Sequence, residues 1–164
     1  MKGFLFIFLL SISGYSLAEL PEWMKNQAIV DKFVWNSTKP FNTKDLDKIR
    51  TYSSLIKEEV NKFNETISGK EAKRYTFYFQ GLKIIGFFIP GKWFFLEYVE
   101  VSESWFVLVG GIKIGSTEQE LINHFKHSGK MKDNTITYNG ETENVIFTLV
   151  NGIVTKVQIY GYTG

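Results

Sequence analysis

Apolar and polar positions alternate most cleanly near the C-terminal end of the chain. Val145, Phe147 and Leu149 are interleaved with Ile146 and Thr148, and Val157 and Ile159 with Lys156 and Gln158. A period of two is the pattern of strands. Asn151-Gly152 stands between these runs, and predicts a type I′ hairpin turn, whose two central residues need positive φ. A third strand is predicted over 135–139, before Gly140. Upstream the period lengthens. Leu121, Ile122 and Phe125 form one helical stripe, and Ser116 or Thr117 precedes it with Gln119 and Glu120 three positions later. That spacing offers a capping box in either register, with a cap worth about 1 kcal/mol against Ala. Residues 117–127 are therefore predicted as a helix closed by Gly129, followed by an antiparallel meander.

The first half of the chain reads less sharply. Leu46, Ile49, Leu55, Ile56, Val60 and Phe63 recur at spacings that predict an amphipathic helix over 44–63. Asn42 or Thr43 stands ready to cap it, and Tyr52-Ser53-Ser54 is a place to bend it or split it in two. After a polar connector at 64–73, aromatic and β-branched residues fill 74–79, 82–89 and 93–101, with turns at Gln80-Gly81 and Pro90-Gly91. A fourth strand is expected over 105–109, leading through Gly110-Gly111 into the second unit. Residues 19–43 read as an N-terminal arm, with 29–35 either a short strand or a packing segment. The resulting expectation is one α+β domain over 19–164. It has two helix-plus-meander halves, 44–101 and 105–160, with the helices on one face of the sheet.

Residues 1–18 change the picture of where the chain works. Lys2 precedes the apolar run at 3–10, and Ser16-Leu17-Ala18 has small residues at the −3 and −1 positions of a cut. This is the layout of a secretory signal peptide, and the apolar run is too short to span a bilayer. Once the signal is removed, no stable membrane insertion is expected. The sequence holds no Cys, so no cysteine-linked lipid is available and no disulfides brace an exported fold. A short signal without disulfides points to a bacterial periplasm, or to secretion. The formal net charge is +2, a balance that does not suggest a nucleic-acid partner.

Candidate chemistry is sparse. His124 and His127 lie three apart, with Asp133 the nearest acid in sequence, and a metal site would need that third ligand. Exposed helix-end histidines are the simpler reading. There is no Gly-x-Ser-x-Gly motif and no Cys to serve as nucleophile. Glu97 and Glu100 differ in parity and on a regular strand point to opposite faces. Glu58 and Glu59 are adjacent and do not face each other on a helix. Gly110, Gly111 and Gly115 lack the spacing of a phosphate loop. No catalytic residue, metal or cofactor is expected.

The excess is aromatic. Tyr75, Phe77, Tyr78, Phe79, Phe87, Phe88, Trp93, Phe94, Phe95, Tyr98, Trp105 and Phe106 crowd the first set of strands, and neighbours such as Phe87-Phe88 load both faces. A partner-binding surface is expected at Tyr78, Phe88, Trp93, Phe95 and Trp105, because Trp and Tyr dominate interface energetics.

Gly111-Ile112-Lys113-Ile114-Gly115-Ser116-Thr117 with Glu120, Leu121 and Phe125, followed by strands ending in a turn and Val154–Val157, resembles one group of small exported α+β modules. The group includes BamE and the β-lactamase inhibitor protein. The likeness is clear over 111–160 and rests elsewhere on element order. It implies a non-catalytic module that binds proteins through a sheet face and its loops. This chain lacks the lipidated Cys of the one and the disulfides of the other. The expected function is an inhibitor or immunity protein acting on an envelope-targeted enzyme or toxin; the alternative is a structural or assembly factor of the bacterial envelope.

Overall fold

The computed structural model describes residues 20–67 and 70–161; the expected signal at 1–18 lies outside them. The first element corrects the sequence reading. Residues Glu22–Thr38 form a helix, α1, where an arm carrying a short strand or a packing segment was expected. Ile29, Val30, Phe33, Val34 and Ser37 make a stripe of period 3.6. Pro21 precedes the first turn, where its fixed φ costs nothing and its carbonyl accepts from Met24 and Lys25. The Thr38 hydroxyl closes the other end on the Val34 carbonyl at 2.8 Å.

The expected long helix over 44–63 is also corrected. Only Leu46–Arg50 is helical (α2), capped by Asp45, whose side chain accepts from the Asp47 N–H. Leu55–Ile67 is a strand, β1. Of the bend or split expected at Tyr52-Ser53-Ser54, the chain takes the split: the helix ends there, and pairing with the next strand overrides the helical spacing beyond it. β2 (Lys70–Phe79), β3 (Leu82–Phe88) and β4 (Phe94–Val101) follow. No strand forms at 105–109; Phe106 and Leu108 are buried in a loop that ends in a 3₁₀ turn at Val109–Gly111.

Helix α3 spans Glu118–Phe125 with the capping box in its Thr117–Glu120 register. Its C-cap is Lys126, left-handed at φ 65°, rather than Gly129. β5 (Lys130–Lys132), which the sequence did not reveal, then leads into β6 (Thr135–Asn139), β7 (Asn144–Val150) and β8 (Ile153–Tyr160). Asn151 and Gly152 have φ of 53° and 75°, as the predicted hairpin turn requires.

Among the described residues, the eight strands form one antiparallel sheet, in the order β1-β2-β3-β4-β8-β7-β6-β5. A buried cluster joins Phe77, Phe79, Ile84, Val99, Phe147 and Val157 of the strands to Val30, Phe33, Ile49, Leu121 and Phe125 of the helices. Burial of this apolar surface is the main force holding helices to sheet.

In β4 the register slips: Ile85 pairs with Tyr98 but Gly86 pairs with Leu96, leaving Glu97 as the extra residue. The bulge reverses the parity of the strand. Phe94 before it and Val99 and Val101 after it are therefore all buried. Glu97 and Glu100 consequently share the outer face, against the expectation from their odd separation.

Candidate interaction surface

The face of the sheet away from the buried cluster is built in cross-strand rows. One row runs Glu59, Thr76, Ile85, Tyr98, Tyr160 and Asn144; its neighbour runs Lys57, Tyr78, Lys83, Glu100, Gln158 and Ile146. Beside the first lie Arg74, Phe87 and Phe95. The aromatic groups are concentrated on the β2–β4 side and reach β8 through Tyr160.

These groups are held in pairs. Phe87 and Phe95 stack with centroids 4.9 Å apart, and Phe95 remains 39% exposed. Tyr98 meets Tyr160 edge-on at 5.1 Å across the β4–β8 junction, with Tyr160 36% exposed. The Tyr98 hydroxyl donates to Glu100 Oε2 at 2.6 Å and accepts from Gln158 Nε2 at 2.7 Å. Burial is the main reason its pKa is pushed up to about 12. Tyr78 donates to Glu59 Oε2 at 3.0 Å, and the ammonium groups of Lys57 and Lys83 lie 5.7 and 5.5 Å from its ring centroid. That hydrogen bond raises the Tyr78 pKa, while Lys57 holds the Glu59 carboxyl below its usual range. Arg74 Nε binds Glu97 Oε2 at 2.7 Å beside the phenylalanine stack.

The five residues singled out from sequence occupy separate places. Tyr78 and Phe95 are on the outer face, in different rows. Phe88 is partly buried against the core and meets Tyr75 edge-on. Trp93 sits in the β3–β4 turn, 50% exposed, with Lys44 Nζ 5.0 Å from its ring. Trp105 lies beyond β4, 42% exposed, its Nε1 donating to the Gln80 carbonyl at 2.8 Å. Phe87, Tyr98 and Tyr160 were missed. Their membership depends on the bulge and on the β4–β8 pairing, and neither leaves a local signal in sequence.

The two histidines serve different neighbours. His124 packs edge-on against Phe33 at 5.2 Å, and burial lowers its pKa. His127 Nδ1 accepts from the Gly129 N–H at 3.2 Å, and its ring meets Tyr138. Among the described residues no group of three His, Asp or Glu side chains is placed to hold a metal ion. Glu58 and Glu59 diverge, the first to Arg50 and the second to Tyr78. Among the described residues no helix is long and apolar enough to cross a membrane.

No family model, curated protein or solved structure matches the chain.

Proposed function

We propose that this protein is a non-catalytic, exported binding module that docks a protein partner on the outer face of its sheet. The observation that carries the reading is the set of paired, part-exposed aromatic groups, Phe87 with Phe95 and Tyr98 with Tyr160. Strand-borne rings already fixed by stacking and hydrogen bonds lose little freedom when a partner covers them. The ion pairs among them, Arg74–Glu97 and Lys57–Glu59, leave the patch without a large charge of either sign. That suits a protein surface better than a nucleic acid. Tyr78 and Phe95 stay in the proposed site, joined by Phe87, Tyr98 and Tyr160.

Within this reading the chain is an inhibitor or immunity protein of the periplasm, working by covering its target. The likeness of residues 111–160 to the BamE and β-lactamase inhibitor group supports it. So does a strand order in which two four-stranded meanders meet through their last strands, the arrangement expected if each half is one unit.

The test is capture of partners from an envelope extract of the host, comparing the native protein with the Phe95→Ala/Tyr160→Ala double variant. A single partner retained at stoichiometric level by the first and lost by the second, with both equally folded, supports the reading. Equal retention by both would place the binding surface elsewhere.

A further inference from the structure

Among the described residues β1 is an end strand of the sheet, so a row of its N–H and C=O groups points away from β2. Its ladder with β2 is unbroken from residue 57 to 62 and irregular on either side. Within that window Glu58, Val60 and Lys62 share the side of the sheet that carries Phe77 and Tyr75, while Lys57, Glu59 and Asn61 share the other. Val60 is nevertheless 49% exposed, beyond the cover of the helices.

We propose that a second copy of this chain adds to the free edge of β1, antiparallel, about a two-fold axis through Val60. Charged residues on an edge ordinarily guard it against stray strands. Here their order selects one pairing. A two-fold perpendicular to the sheet keeps each side chain on its own face, so the axis must pass through a residue and not between two. Centring on Lys57, Glu58, Glu59 or Lys62 sets like charges directly opposite each other. Centring on Asn61 places Val60 against Lys62. Centring on Val60 instead brings Glu58 opposite the partner's Lys62, twice by symmetry, with the two exposed valines in contact on the axis. Opposed charges and apolar contacts of this kind are what stabilise cross-strand pairs. The Glu58 carboxylate is already fixed by Arg50, through Nε and one terminal nitrogen at 2.8 Å each, and a carboxylate retains acceptor sites for a further donor. The outer face is left open, so the pairing does not depend on what docks there.

The sequence holds no Cys, which makes the test clean. Directly opposed Cα atoms lie about 4.5–5.5 Å apart in an antiparallel pair, within disulfide range. Val60→Cys in the full chain should therefore give a disulfide-linked dimer under mild oxidation. In Asn61→Cys the two thiols are displaced along the strands, at roughly 8 Å between Cα atoms, and should link at least about tenfold more slowly. Sedimentation equilibrium of the native chain should show a dimer. Val60→Arg, with two like charges on the axis, should weaken self-association at least about tenfold while its unfolding transition stays cooperative. A native chain that is monomeric at every concentration, equal linking of the two Cys variants, or a dimer untouched by Val60→Arg would each overturn the proposal.

Discussion

The Asp31 carboxylate of α1 accepts the Glu141 N–H through both of its oxygens, at 3.1 and 3.3 Å. This ties the middle of the helix to the turn between β6 and β7. Glu143 on the same turn hydrogen-bonds the Asp31 side chain, and its own Oε2 accepts from the Thr142 hydroxyl at 2.7 Å. Burial first, and Glu143 second, raise the Asp31 pKa from 3.8 to about 7. Ionised Asp31 then faces the carboxylates of Glu141 and Glu143.

A pH dependence follows from the sign of that shift. A carboxyl that binds its proton more tightly folded than unfolded favours the folded state in acid. Its contribution should decline as pH rises from about 4 to about 7, then level off. Asp31→Asn should flatten this slope and stabilise the protein at pH 8 by about 1 kcal/mol, the full shift being discounted for solvent screening of a half-exposed group. Urea unfolding at pH 5 and pH 8 for both proteins checks it; parallel profiles would dismiss the shared-proton account.

Gly140 is required by the same contact. A Cβ there would lie 1.8 Å from Asp31 Oδ1, so the turn or the helix must move to admit one. Gly140→Ala should destabilise by about 1–3 kcal/mol, and Asp31→Ala in the same chain should recover part of that loss. Thermal midpoints of the two single variants and the double variant form the cycle that decides it.

Gly86 allows the β4 bulge to close. A Cβ at this position would meet the Phe95 carbonyl at 2.4 Å and the Phe94 ring at 2.5 Å. Gly86→Ala should cost about 2–3 kcal/mol and disturb the Phe87–Phe95 stack. The denaturation midpoint gives the first effect, and near-ultraviolet circular dichroism the second.

Tyr98 links the two meanders through side chains. Tyr98→Phe removes the hydroxyl that joins Gln158 to Glu100 and should lower stability by about 0.5–1.5 kcal/mol. Subtracting its alkaline absorbance titration from that of the native protein should isolate one tyrosine titrating at about 12. A difference curve centred at the ordinary value of 10 would remove the buried network from the account of this surface.

Thr117→Ala should cost about 1 kcal/mol, since Thr117 Oγ1 accepts the Glu120 N–H at 3.2 Å and Glu120 returns a bond to the Thr117 N–H at 2.6 Å. Faster amide exchange confined to the first turn of α3 would be the local signature.

What the sequence determined by itself was local. The Thr117–Glu120 cap, the Asn151-Gly152 turn and the strands on either side of Gly81 are satisfied by residues only a few positions away, so their pattern suffices. The α+β mix and the absence of Cys follow from the same reading. Tertiary structure decided the rest. Residues 55–62 carry a spacing that fits a helix, and they became a strand because β2 offers a ladder that a helix would leave unpaired. Residues 29–35 are rich in β-branched and aromatic side chains, yet they are helical because their buried stripe packs against Phe125 and Phe147. The outer face was beyond sequence reasoning for a related reason. One extra residue at Glu97 reverses the parity of β4, and Tyr160 meets Tyr98 only because the last strand pairs with the fourth. Such choices depend on partners far away in the chain, and a residue's own neighbours carry no record of them.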